Sequence, residues 1–245
     1  MKKTFLSFSL ILALAAASLQ PLFAADPIII GLSKFKKEDR DVKDFKIVAA
    51  GGPINVVITL GNTESLRFEG DAEAISTLIT EVISNKLIIR PKNSWTSWAK
   101  KYEGKQITAY VTAKTLQALI MSGNGKMSVT NEIKSNSLSA TLSGSGSITA
   151  NIEVNNFVGT ISGSGNLNIS GEADKASVTV SGSGSLTKKS FTVGTMTSAI
   201  SGSGSIYVTA EDKINAVISG SGSINYSGNP EVEQRVIGSG RIRKI

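Results

Sequence analysis

A six-residue unit, Ser-Gly-x-Gly-x-apolar, returns again and again through the second half of the chain. No other feature limits the possible folds as strongly. Copies begin at Ser122, Ser143, Ser162, Ser181, Ser201 and Ser219, and a degenerate copy begins at Ile237. The starts are 21, 19, 19, 20, 18 and 18 residues apart. These copies hold 14 of the 24 glycines, so glycine is gathered at one place in each repeat and not spread as in a flexible linker.

The flanks of each copy alternate with period two, which is the signature of a strand. Leu142, Gly144, Gly146 and Ile148 share one phase; Ile161, Gly163, Gly165 and Leu167 repeat it, and serines fill the other phase. A unit of this length is too long for a hairpin and too short for a strand–helix–strand crossover. It fits one coil of a β-solenoid, each coil pairing in parallel with the next at about 4.8 Å, for a stack of about 29 Å. The spacing predicts a narrow edge or corner at the glycines, where two walls approach closely. Ser145, Ser164, Ser183, Ser203 and Ser221 would form an outward polar ladder. Such a ladder either solvates a face or offers a flat platform to a glycan or another repeating surface. Phosphate loops are excluded, because no Gly-Lys-Ser/Thr ending or helix start follows the glycines. Calcium-binding nonapeptide repeats are excluded too, since they need an Asp at that point.

Residues 44–121 read as irregular early coils or a cap. Strands are expected at Phe45–Ala50, Ile54–Leu60, Ser65–Glu69, Lys86–Arg90 and Gln106–Val111, with one short helix from Asp71 to Leu78 capped by Asp71. Residues 25–43 are charged and mixed and read as a loose lead segment. At the far end, Arg241, Arg243 and Lys244 would blunt the last strand by charge.

Residues 1–24 have the order of a secretory signal: Met1-Lys2-Lys3, an apolar stretch from Phe5, and small residues at Ala24-Ala25. Cleavage after Ala24 would lower the formal charge from +7 to +5. No other apolar run is long enough for a membrane span, so an exported chain is expected, periplasmic or extracellular. The chain has no Cys and no His, which excludes disulfides, Cys/His zinc sites and His-dependent triads.

The pattern Phe45-x-Ile-Val, then Gly52-Pro-Ile-Asn-Val56, then Lys86-Leu-Ile-Ile-Arg90, then Ser-Gly-x-Gly coils, resembles a bacterial family over about residues 44–245. That family is the "putative auto-transporter adhesin, head GIN domain" family. The resemblance implies an all-β, right-handed parallel β-solenoid with coils of about 18–21 residues, in exported proteins without an established activity. Coils running to Ile245 would leave no room for a C-terminal membrane barrel, so self-translocation is not expected.

Catalysis finds little support in the residues. From Ser122 onward the acids are Glu132, Glu153, Glu172, Asp174, Glu211, Asp212, Glu231 and Glu233, mostly between the glycine motifs, where solvated loop charge is expected. A hydrolase on this fold would need paired carboxylates in one cleft. One segment, residues 91–105, is specialised. It holds Trp95, Trp98, Lys100, Lys101 and Tyr102, a combination that suits a sugar ring or an anionic partner, or that tucks its rings over the end of the solenoid. No metal or cofactor is implied. Nucleic acid is a poor partner, because the basic excess over the coils is small and spread out. The reading is a non-enzymatic envelope protein, adhesin-like in binding or structural in role, with a surface glycan or a protein as partner. A polysaccharide-active enzyme and a protein-interaction scaffold are the alternatives.

Overall fold

The computed structural model describes residues 35–93, 95–186 and 190–245, and every side chain among them except those of Trp95 and Thr96. The expected signal, residues 1–24, lies outside these residues.

The first part of the chain supplies β1 (Phe35–Arg40), β2 (Ile47–Gly51), β3 (Asn55–Leu60), β4 (Ser65–Asp71), α1 (Ala72–Ser76), β5 (Leu78–Ile83), β6 (Lys86–Pro91), α2 (Trp95–Lys101) and β7 (Ile107–Ala113). Next come β8 (Ala118–Gly123) and β9 (Lys126–Val129). The regular coils are β10 (Ile133–Gly144), β11 (Ser147–Gly163), β12 (Asn166–Gly182), β13 (Ser185–Leu186), β14 (Phe191–Gly202), β15 (Ser205–Gly220), β16 (Ser223–Ser227), β17 (Glu231–Gly238) and β18 (Arg241–Lys244).

These strands form a parallel β-solenoid with two walls. One wall runs β5-β6-β2-β8-β10-β11-β12-β14-β15-β17. The other runs β1-β4-β7-β3-β9-β11-β12-β13-β15-β16-β18. The long strands β11, β12 and β15 belong to both, turning from the second wall into the first. Register follows the repeat: Leu142, Ile161, Val180, Ile200 and Ile218 lie over one another, and all are buried. Each such side chain contributes about 1.5–3 kcal/mol relative to exposure. Phe157 and Phe191 meet edge to face in the same core, 5.4 Å between ring centres.

The N-terminal end departs from this order. The coil β2–β3 is not outermost, for it lies between β6–β7 on one side and β8–β9 on the other. After β3 the chain runs out through β4, α1 and β5, returns along β6 and β7, and only then continues into the stack. Strands β1, β4 and β5 pair antiparallel and close the end that parallel coils would leave open. Residues 35–40, expected within a loose lead, are therefore an ordered strand: all six β1 residues are in register with β4, and the Arg40 guanidinium lies 4.7 Å over the Phe68 ring. Helix α1 has its expected cap, since Asp71 Oδ1 accepts from the Ala74 amide at 3.0 Å. It stops at Ser76, short of the expected Leu78, because Leu78 begins β5.

Glu64 fastens the entry to β2. Its carboxylate accepts from the amides of Asp44 (3.0 Å) and Phe45 (3.4 Å), where Asp44 has φ +58°. The Asp44 amide above all, then that of Phe45 and the nearby Lys114, hold the Glu64 carboxyl below the ordinary carboxylate value. The unfolded chain binds that proton more readily. The Glu64 contribution is thus fully present above about pH 4.3 and is lost as pH falls through the lower folded value. Glu64→Gln is expected to flatten the acid limb of the thermal midpoint measured against pH, while an unchanged limb would remove Glu64 from this role.

Candidate functional site

The glycine motifs are the corners between the two walls. At each corner the first glycine takes a left-handed φ, +110° at Gly144 and +120° at Gly163. At Gly123, Gly144 and Gly163 the carbonyl accepts from two amides of the next coil: Ser145 (3.0 Å) and Gly146 (2.9 Å) both bond Gly123 O. Ser164, Ser183, Ser203 and Ser221 repeat the contact, each amide donating to the preceding coil's first glycine at 2.9–3.0 Å. The five hydroxyls expected as a ladder are all exposed. In the five corners from Gly144 to Gly222 the second glycines are buried, as their phase predicts, but the first glycines are half-exposed where the chain bends. Hydroxyl-to-hydroxyl bonds between coils lie on the outer face of the second wall, Ser205 to Ser223 at 3.1 Å and Thr209 to Ser227 at 2.8 Å.

The tryptophan segment folds as α2 against the capped end. Trp98 and Tyr102 are buried, with ring centres 5.1 Å apart. Trp98 Nε1 donates to Thr77 Oγ1 at 2.6 Å, and the Tyr102 hydroxyl donates to Glu73 at 3.2 Å. Their large apolar area covers the end of the core, and both rings also line a small hollow of about 170 Å³ with Thr77, Lys92 and Lys101. Lys100 and Lys101 are exposed, and Lys101 pairs with Glu73 at 2.9 Å. Lys101, then the Tyr102 hydroxyl, hold the Glu73 carboxyl below its usual range. The side chain of Trp95 lies outside the described ones.

A hollow opens where this segment ends. It has a volume of about 630 Å³ and lies across the outer face of β4 and β7, with Glu103, Gly104 and Lys105 as one rim. Period two sends Phe35, Lys37 and Asp39 of β1 to this outer face, beside Arg67 and Glu69 of β4 and Thr108 and Tyr110 of β7. Phe35 is 67% exposed and Tyr110 is 43% exposed, so two aromatic rings stand open at one hollow. Lys105 pairs with Asp71 at 3.0 Å in it, and Arg67 with Asp39 at 2.7 Å beside it. A second hollow of about 440 Å³ shares Glu69 and Tyr110 and carries the groove on past Arg67 to Thr112. Aromatic faces next to carboxylates, an amide and hydroxyls are the groups that hold a sugar ring by stacking and hydrogen bonds. Sequence reasoning missed this groove. Tyr110 was detectable, because Ala109 and Val111 on either side take the buried phase.

Four acids expected as scattered loop charge come together elsewhere. A register shift between Val193 and Thr195 sets Glu172, Asp174, Glu211 and Asp212 around Gly194, in a hollow of about 240 Å³. All four are exposed, and among the described residues no acid cluster has the geometry to hold a metal ion.

Capped parallel coils with polar outer faces define a β-solenoid as the class of protein. The chain belongs to the family described as "putative auto-transporter adhesin, head GIN domain", whose profile matches residues 44–230. No curated protein sequence matches it. Among solved structures it is similar to a "putative adhesin" from Bacteroides fragilis, with TM-score 0.77 and 22% identity over 86% of this chain and 97% of that one. It is also similar to a "putative lipid binding protein" from Parabacteroides distasonis, with TM-score 0.69 and 23% identity over 86% of this chain and 96% of that one. A "putative adhesin" from Parabacteroides merdae gives TM-score 0.62 and 20% identity over 87% and 97% of the two chains. At these identities the likeness shows the fold. Among the described residues no helix is long and apolar enough to cross a membrane.

Proposed function

We propose that the chain is an exported, non-enzymatic binding protein of the cell envelope, adhesin-like, whose groove across β1, β4 and β7 holds an extended glycan. The observation that carries this reading is the pair of exposed rings, Phe35 and Tyr110, at a hollow rimmed with polar groups. The family description supports a surface partner, and the specialised segment contributes through its tail, Glu103 to Lys105. Lys100 and Lys101 stand just before that tail in the chain and offer positive charge to the same ligand.

The test is affinity for a panel of envelope and host glycans, with a glycolipid vesicle as a separate arm. Phe35→Ala and Tyr110→Ala should each weaken binding at least about ten-fold, or about 1.4 kcal/mol, without moving the thermal midpoint. Val217→Ala, on the outer face of the other wall, should change nothing. Equal binding by the Phe35 and Tyr110 variants would place the site elsewhere and overturn the reading.

A further inference from the structure

The degenerate seventh copy changes the corner chemistry at the other end of the solenoid. In strand register, Ser147, Asn166, Ser185, Ser205 and Ser223 form one outward column, and Arg241 extends it. The neighbouring column carries Tyr207 and Asn225 and ends in Arg243. Two guanidinium groups therefore stand where the coils between Ser147 and Asn225 present neutral side chains; the next cation in the first column is Lys126, beyond Ser147. A hollow of about 280 Å³ lies between them and the serine corner, lined by Ser221, Gly222, Ser223, Ser239, Arg241 and Arg243.

Arg243 is held in position. Its Nε donates to Asn225 Oδ1 at 2.6 Å, and Asn225 is completely buried. Asn225 Nδ2 in turn reaches Ser223 Oγ at 3.5 Å, and Ser223 Oγ meets Ser205 Oγ at 3.1 Å. This chain fixes one edge of the guanidinium and leaves its terminal nitrogens for another acceptor. Among the described residues neither Arg241 nor Arg243 has an ion-pair partner. The acids of the last coil, Glu231 and Glu233, are engaged with Lys213 on the other wall.

We infer that this corner is a second binding site, selective for a tetrahedral oxyanion: a phosphate or sulfate group on an anionic polymer. Two guanidinium forks give several charge-assisted donors, and three serine hydroxyls give more from the other side. An oxyanion with three or four acceptor oxygens can use donors from several directions, whereas a carboxylate has two oxygens in one plane. The site stands apart from the groove, being built on the last coils and not on the cap, and it does not depend on the glycan reading.

The test uses the whole protein and three probes: heparin as a sulfated polymer, inorganic phosphate, and phosphatidylglycerol vesicles. Heparin should bind, and phosphate should compete with it. Arg241→Gln and Arg243→Gln should each weaken heparin binding at least about ten-fold, and the double variant should abolish it with an unchanged thermal midpoint. Phe35→Ala/Tyr110→Ala should keep heparin binding, so failure of the groove and failure of this site are separable. Vesicle binding that the double variant loses would keep the site and make a lipid headgroup the source of the oxyanion. The inference is overturned if the double variant binds heparin like the parent, if Lys100→Gln/Lys101→Gln removes the binding instead, or if the parent binds none of the three.

Discussion

Gly163→Ala should cost about 3–5 kcal/mol of folding stability, read as a shift of the denaturant midpoint. Two effects add. Gly163 sits at φ +120°, where a side chain strains the backbone, and a Cβ there would lie 2.6 Å from the carbonyl oxygen of Gly144 in the coil below. That oxygen already accepts from Ser164 and Gly165, so it has nowhere to go without breaking the corner. Each corner rests on the one before it: Gly182 would meet Gly163 O at 2.5 Å, and Gly202 would meet Gly182 O at 2.4 Å. The damage should therefore spread to neighbouring coils, as in other stacked repeats. Gly104→Ala is the control. It also has a positive φ, +74°, but no atom lies within 4 Å of its added Cβ, so only the backbone cost of about 1 kcal/mol remains. Similar losses at both positions would mean that coil-to-coil contact at the glycines is not what requires them.

Trp98→Ala is expected to destabilise the chain by about 3–5 kcal/mol while leaving ligand affinity of the folded fraction unchanged. The indole covers the capped end, touches Tyr102, and gives its N–H to Thr77. Trp98→Phe keeps most of the covering area and loses the hydrogen bond, so its cost should be nearer 1 kcal/mol. Denaturation followed by circular dichroism separates these values. An alanine variant as stable as the parent, but unable to bind a glycan, would restore Trp98 to a ligand site and refute its structural role.

The stacked coils were legible in the sequence for a physical reason. A corner that presses backbone on backbone tolerates only glycine, and a parallel coil forces the same choice on the next coil, so Gly144, Gly163 and Gly182 mark the period directly. The cap of α1 was legible because Asp71 makes a local bond to an amide three residues on. The N-terminal crossing was not. Nothing in Ile47–Leu60 indicates that this coil will be flanked on both sides by later strands, because parallel register is set by partners distant in sequence. Phe35 was missed because β1 is held by pairing with β4 and has no local pattern of its own. The acids around Gly194 were missed because a register shift, not spacing, brings them together. For Trp98 the residue type left a ligand site and an end cover both open, because only the packing of α2 decides which way the ring faces.

Amide hydrogen exchange with and without the tightest-binding oligosaccharide of the panel tests the central claim most directly. Slowed exchange confined to residues 35–40, 65–71 and 103–112, with the oligosaccharide recovered intact, is the predicted result. Slowed exchange around Glu172–Asp174 and Glu211–Asp212, with the oligosaccharide cleaved, would contradict it and make the protein an enzyme.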